Sequence, residues 1–176
     1  MASIPELVDE LCGFWGDDPF DSKAISSADG QRFVRIISEE RDAAARIAQV
    51  LKGTPSPEQL TRMSGAAAAW EYFIALFELI GRHHESALLA HALYRDMFDA
   101  EQKSRSRIHK GMPLVRIADA YRSLGYVAHE ERYLMLTLCE DAIRASYPEI
   151  TSEGPLQETR RTLPSGVAPV LTCGSK

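Results

Sequence analysis

Two stretches of the chain follow one grammar. The first, from Trp70, reads WEYFIALFELIGRHHESALLAHALY; the second, from Val115, reads VRIADAYRSLGYVAHEERYLMLTL. Each is an apolar run at helical spacing, then Ile-Gly or Leu-Gly, a short turn and a second apolar run. Gly81 and Gly125 hold the same place in the two copies, 44 residues apart. A glycine there lets the chain reverse through positive φ, which a Cβ opposes. Two helices joined by such a turn hide one face between them and need a neighbouring hairpin to hide the next. The spacing therefore predicts stacked antiparallel helical hairpins.

The remaining helices are expected to complete the stack. Ser3 and Glu6 form a capping box around Pro5 and open a first helix, which Gly16-Asp17-Asp18-Pro19 stops. A second is expected from about Asp29 to Lys52, with Phe33, Ile36, Ile37, Ala44, Ile47, Ala48 and Leu51 as its apolar stripe and Gly53 as its stop. Ser56-Pro57 starts a third that runs to Ile80, and His83 to Lys103 forms a fourth. Pro113 to Leu124 and Ala128 to Ser146 supply the fifth and sixth. The expected fold is all-α: about six helices in three antiparallel hairpins over residues 1–147. Pro148, Gly154, Pro155, Pro164, Gly166, Pro169 and Gly174 make residues 148–176 an irregular C-terminal arm, expected to be partly disordered.

Composition narrows the function classes. At 176 residues with 45% hydrophobic content, the chain fits one domain with a sizeable core. A net charge of -5 opposes a dedicated duplex-DNA binder. Cys12, Cys139 and Cys173 are widely spaced and include no CxxC pair, which suits a reducing compartment. The stretch MASIPELVDEL has acids where a secretory leader needs basic residues. The longest apolar segment, 66–80, is interrupted by Glu71 and Glu78, so no membrane span is expected. A cytoplasmic location follows as an expectation.

Trp70, Phe77, Ile80-Gly81, Ser86 and Leu93 in the first copy, and Tyr121, Leu124-Gly125, Tyr133-Leu134 and Leu138 in the second, resemble the tetratricopeptide repeat. The likeness covers the hairpins within 66–146. That family's repeat is about 34 residues long; here some extra residues fall around DAEQKSRSRIHK, from Asp99, and Glu130 stands where alanine is usual. The resemblance implies a non-catalytic scaffold that binds another protein in a helical groove, or self-associates as a homodimer, with no cofactor. HKGMPL followed by the Leu-Gly hairpin also resembles a group of bacterial helical-repeat proteins. Trp70, Phe73, Phe77, Leu89, Leu93, Ile117, Tyr121, Tyr133 and Leu136 are expected to pack within or between hairpins.

Candidate chemistry is sparse. Lys103, Arg105, Arg107, His109 and Lys110 form the one dense basic run, just before a helix start whose free N–H groups suit an anion. Arg105, Arg107, His109 and Lys110 are thus the candidate ligand-binding residues, and nucleic acid is a disfavoured partner because no aromatics interleave the run. A competing view is a solvated linker. Arg122 and His129, six residues between them, resemble the paired Arg and His of the HEPN superfamily, which implies a ribonuclease as an alternative. Ser123 and the intervening Leu-Gly turn depart from that pattern. His84 and His91 are seven residues apart with no HExxH, so no metal site is expected. The pairs Glu130-Glu131 and Glu140-Asp141 diverge by about 100° around a helix and form no focused dyad. Arg144, four residues beyond Glu140, is expected to pair with it on the surface.

Overall fold

The two repeated glycines adopt the same conformation, φ +77° at Gly81 and at Gly125. An added Cβ would meet nothing within 4 Å at either position, so backbone conformation and not space calls for glycine. The bonds around them also agree. The Arg82 N–H reaches the Phe77 carbonyl at 2.8 Å and the Gly81 N–H reaches Glu78 at 3.0 Å. In the second copy Tyr126 N–H reaches Tyr121 and Gly125 N–H reaches Arg122, both at 2.9 Å. This paired closure satisfies the last carbonyls of the outgoing helix. The next helix then starts alike in both, with two N–H groups on the Arg82 carbonyl and two on that of Tyr126.

The computed structural model describes residues 6, 27–53, 68–104 and 107–145. Six helices lie among them: α1 Ala28–Glu39, α2 Ala43–Leu51, α3 Ala68–Leu79, α4 His83–Ser104, α5 Gly111–Ser123 and α6 Val127–Ala145. No strand occurs among the described residues, and the protein is all-α there. The four helices of the two hairpins match the sequence expectation within two residues wherever their ends are described. The expected helix at Ser3, the Ser56-Pro57 start and the arm 148–176 lie outside the described residues.

The second expected helix is a correction, because it divides into α1 and α2. Its stripe passes from Ile37 to Ala44 through Ser38-Glu39-Glu40-Arg41-Asp42, where no apolar side chain is available to hold a turn against the core. Glu40 leaves the helix with φ -92° and ψ 115°, and Asp42 starts the next one. An Arg46–Glu40 ion pair bridges the break. Ser27 caps α1 by accepting the Gly30 N–H at 3.1 Å. Ala43, Ala44, Ile47 and Leu51 are all buried in consequence.

Packing runs in sequence: α2 and α3 lie against α4, α4 against α5, and α5 against α6. Every residue from Ala69 to Phe77 is buried, so α3 is hidden on all its faces over that stretch. Trp70, Phe73, Phe77, Leu89, Leu93 and Ile117 occupy the core as expected. Tyr121 and Tyr133 are only partly buried and stack on each other at 5.6 Å. Leu136 departs from expectation at 39% exposed, because the outer face of α6 has no further helix against it among the described residues.

Candidate functional site

The end of the basic run, from Arg107 to Lys110, turns inward, whereas Lys103 is exposed. Arg107 reaches Glu101 of α4 at 2.9 Å and Glu140 of α6 at 2.8 Å. Lys110 is buried, bonded to Glu101 and to the Ile108 carbonyl. His109 Nε2 lies 2.9 Å from Asp141 Oδ1. Burial works against the Glu101 charge, but hydrogen bonds from Lys110 and the Ile108 N–H outweigh it and hold the carboxyl below its ordinary range. The loop is thereby stapled to both flanking helices. Glu140, which sequence spacing assigned to Arg144, serves Arg107; the Arg144 side chain and Arg105 lie outside what is described.

Arg122 and His129 share the second turn but have different company. Arg122 pairs with Glu130 at 2.6 Å and Asp119 at 3.2 Å. His129 packs against the Tyr121 ring at 5.0 Å. Of the α4 histidines, His91 is drawn into packing against Tyr121 and Tyr133, whereas His84 is exposed. His91 Nε2 meets the Tyr121 hydroxyl at 3.2 Å, and no group of acids, histidines or cysteines among the described residues is arranged to hold a metal.

A cleft of about 260 Å³ opens between the first helices of the two hairpins. Ala75 and Leu79 of α3 line one wall, and their counterparts 44 residues on, Asp119 and Ser123 of α5, line the other. Glu78 and His83 close it at the α3–α4 turn. Below the cleft Arg116 binds Glu71 at 3.2 Å and approaches Glu78 at 3.6 Å. The Ser86 hydroxyl donates to Glu78 at 3.3 Å.

Charge in this cluster leans negative. Burial pushes the Glu78 carboxyl up to about 7; Arg116 opposes the rise, while Asp119 and Glu71 add to it. Burial also raises Glu71, against the attraction of Arg116. Burial disfavours the Arg116 charge, yet Glu71 and Glu78 more than offset that and raise it. One Glu71 oxygen and His83 Nδ1 are buried without a hydrogen-bond partner. The cleft thus offers partly neutralised carboxylates beside Leu79, which is 47% exposed.

Sequence reasoning met Glu71 and Glu78 only as interruptions of an apolar run. The available signal was their seven-residue spacing, which puts both on one face of α3. Arg116 is 45 residues from Glu71, close to the repeat period, and that is the pairing hairpin stacking produces. Compared with known proteins, the chain matches no family model, no curated protein and no solved structure. No helix among the described residues is long and apolar enough to cross a membrane.

Proposed function

We propose that the chain is a non-catalytic protein-interaction module that seats a partner's segment in the cleft between α3 and α5. The observation that carries this is the cleft's construction from repeat-equivalent residues of two stacked hairpins, Ala75 with Asp119 and Leu79 with Ser123. Glu78 and Asp119 select a lysine or arginine on the partner, and exposed Leu79 takes an adjacent apolar side chain. The tetratricopeptide-like turn pattern and the widely spaced cysteines support a scaffold working in a reducing, cytoplasmic setting. The sequence likeness to bacterial helical-repeat proteins supports a bacterial source.

The engagement of Arg107, His109 and Lys110 with Glu101, Glu140 and Asp141 favours this cleft over the basic loop as the binding surface. The test is an array of short peptides varying basic and apolar positions, read by fluorescence anisotropy. Peptides with a basic residue beside an apolar one should bind, and Asp119→Lys or Leu79→Glu should abolish binding without loss of helicity. Binding unchanged in both folded variants, or no selection for basic peptides, would overturn the proposal. Concentration-dependent self-association, weakened by the same two variants, would identify the partner as a second copy.

A further inference from the structure

The cleft between α3 and α5 holds more acid than base. Arg116 is 3.2 Å from Glu71 and 3.6 Å from Glu78, and Arg122 pairs with both Asp119 and Glu130. In these pairs four carboxylates share two guanidinium groups. Glu78 and Asp119 line the cleft itself, and Leu79 stands 47% exposed beside them. Burial pushes Glu78 up to about 7, so its charge is held there at a cost that a further cation would relieve.

The chain carries one segment of matching chemistry. Glu158-Thr159-Arg160-Arg161-Thr162-Leu163-Pro164 contains its one pair of adjacent arginines, and no acid follows Glu158 through Lys176. Residues two apart in an extended segment point to the same side. That spacing groups Arg161 with Leu163, a cation with an apolar side chain. Pro164 disfavours helix at Leu163 and so suits extended entry. The segment also has the reach. The cleft lies where α5 ends, at the α5–α6 turn, and α6 leads away from it for 19 residues, about 28 Å at about 1.5 Å each. Arg160 follows Ala145 by 15 residues, which extend to about 50 Å.

We propose that the chain's own segment 160–163 occupies this cleft and masks it against other partners. The inference rests on the reading of the cleft as a binding site. Arg161 is drawn to Glu78 and Asp119, Leu163 lies on Leu79, and Arg160 adds positive charge at the rim. A partner must displace this segment, so the module is autoinhibited.

A fluorescein-labelled peptide of residues 158–166 is titrated with two full chains, one unaltered and one carrying Arg160→Glu, Arg161→Glu and Leu163→Ser. A tethered segment at an effective concentration on the order of 1 mM, with an isolated Kd of about 0.1 mM, depresses the apparent affinity about tenfold. The triple variant should therefore bind the peptide about tenfold more tightly than the unaltered chain. Adding Leu79→Glu to it should abolish that binding. Equal affinity of the two full chains would overturn the proposal. If basic peptides then bind both chains and lose binding through Asp119→Lys, the cleft reading stands and only its self-occupancy fails. If no basic peptide binds the triple variant, both fail. Thr162→benzoylphenylalanine in the full chain locates the segment directly by photo-cross-linking. Cross-links to residues 75–79 or 119–123 in a product of monomer mass are expected. Cross-links elsewhere, or only in a product of twice that mass, would overturn occupancy by the chain's own segment.

Discussion

Two clusters of buried charge hold this protein's helices together, and they are built to different standards. In the loop before α5, Arg107, His109 and Lys110 face Glu101, Glu140 and Asp141, and each acid has a basic side chain within hydrogen-bond distance. Between α3 and α5, Arg116 attracts Glu71, Glu78 and Asp119, and Asp119 also pairs with Arg122. The first cluster keeps Glu101 ionised below its ordinary range; the second drives Glu78 up to about 7. The balanced cluster is a fastening. The unbalanced one retains an electrostatic demand that an added cation would meet, and it borders an open cleft. Buried ion pairs bring little net stability when complete, yet losing one partner is costly.

The largest expected effect comes from breaking the balanced cluster. Lys110→Ala removes a nearly inaccessible ammonium and leaves Glu101 with Arg107 as its remaining cation. Urea unfolding should show a loss of about 3 kcal/mol, the low end for an opened buried pair because Arg107 still compensates. A loss below about 1 kcal/mol would put the cluster among ordinary surface pairs and erase the contrast.

The unbalanced cluster should respond to pH. Glu78 titrates near 7 in the folded protein against an ordinary 4.5, so folding binds a proton between those values. Its stabilising contribution is full below about pH 4.5 and is lost as pH rises through 7. At 1.36 kcal/mol per pKa unit, the full loss is on the order of 3 kcal/mol. Glu78→Gln mimics the protonated carboxyl. The variant should match the unaltered protein near pH 5 and be more stable near pH 8 by on the order of 2 kcal/mol, read from thermal melts. Binding of a basic peptide should tighten over the same interval, since a cation favours the ionised carboxyl. A pH-independent difference between the two proteins would remove the distinction between the clusters.

This contrast also marks what could be read from the sequence. The hairpin helices were legible because local signals agree: apolar spacing, Gly81, Gly125 and the polar turns. The break at Glu40 was not, because the apolar stripe resumes in phase at Ala44 and periodicity alone joins α1 to α2. Neither charge cluster was legible. Arg107 meets Glu140 across 33 residues and Arg116 meets Glu71 across 45, and no window of sequence contains both partners. The basic run looked solvated because its acids arrive only when α4 and α6 close around it. Trp70 was assigned to the core correctly, but nothing in its local sequence marks its indole N–H as lacking an acceptor.

The smallest expected effect lies at the rim of the balanced cluster. Arg107 touches the same two carboxylates that Lys110 approaches, yet its side chain is 36% exposed where that of Lys110 is 3%. Water and salt screen an exposed ion far more than a buried one. Arg107→Ala should therefore cost less than about 1 kcal/mol, shrinking further in high salt. Lys110→Ala should keep most of its cost under the same salt. If the two variants lose equal stability with equal salt dependence, the cluster acts as one cooperative unit. The difference in burial would then have no energetic meaning. If Arg107→Ala is nearly neutral, the loop is fastened through Lys110, and Arg107 is the cation with the least structural duty.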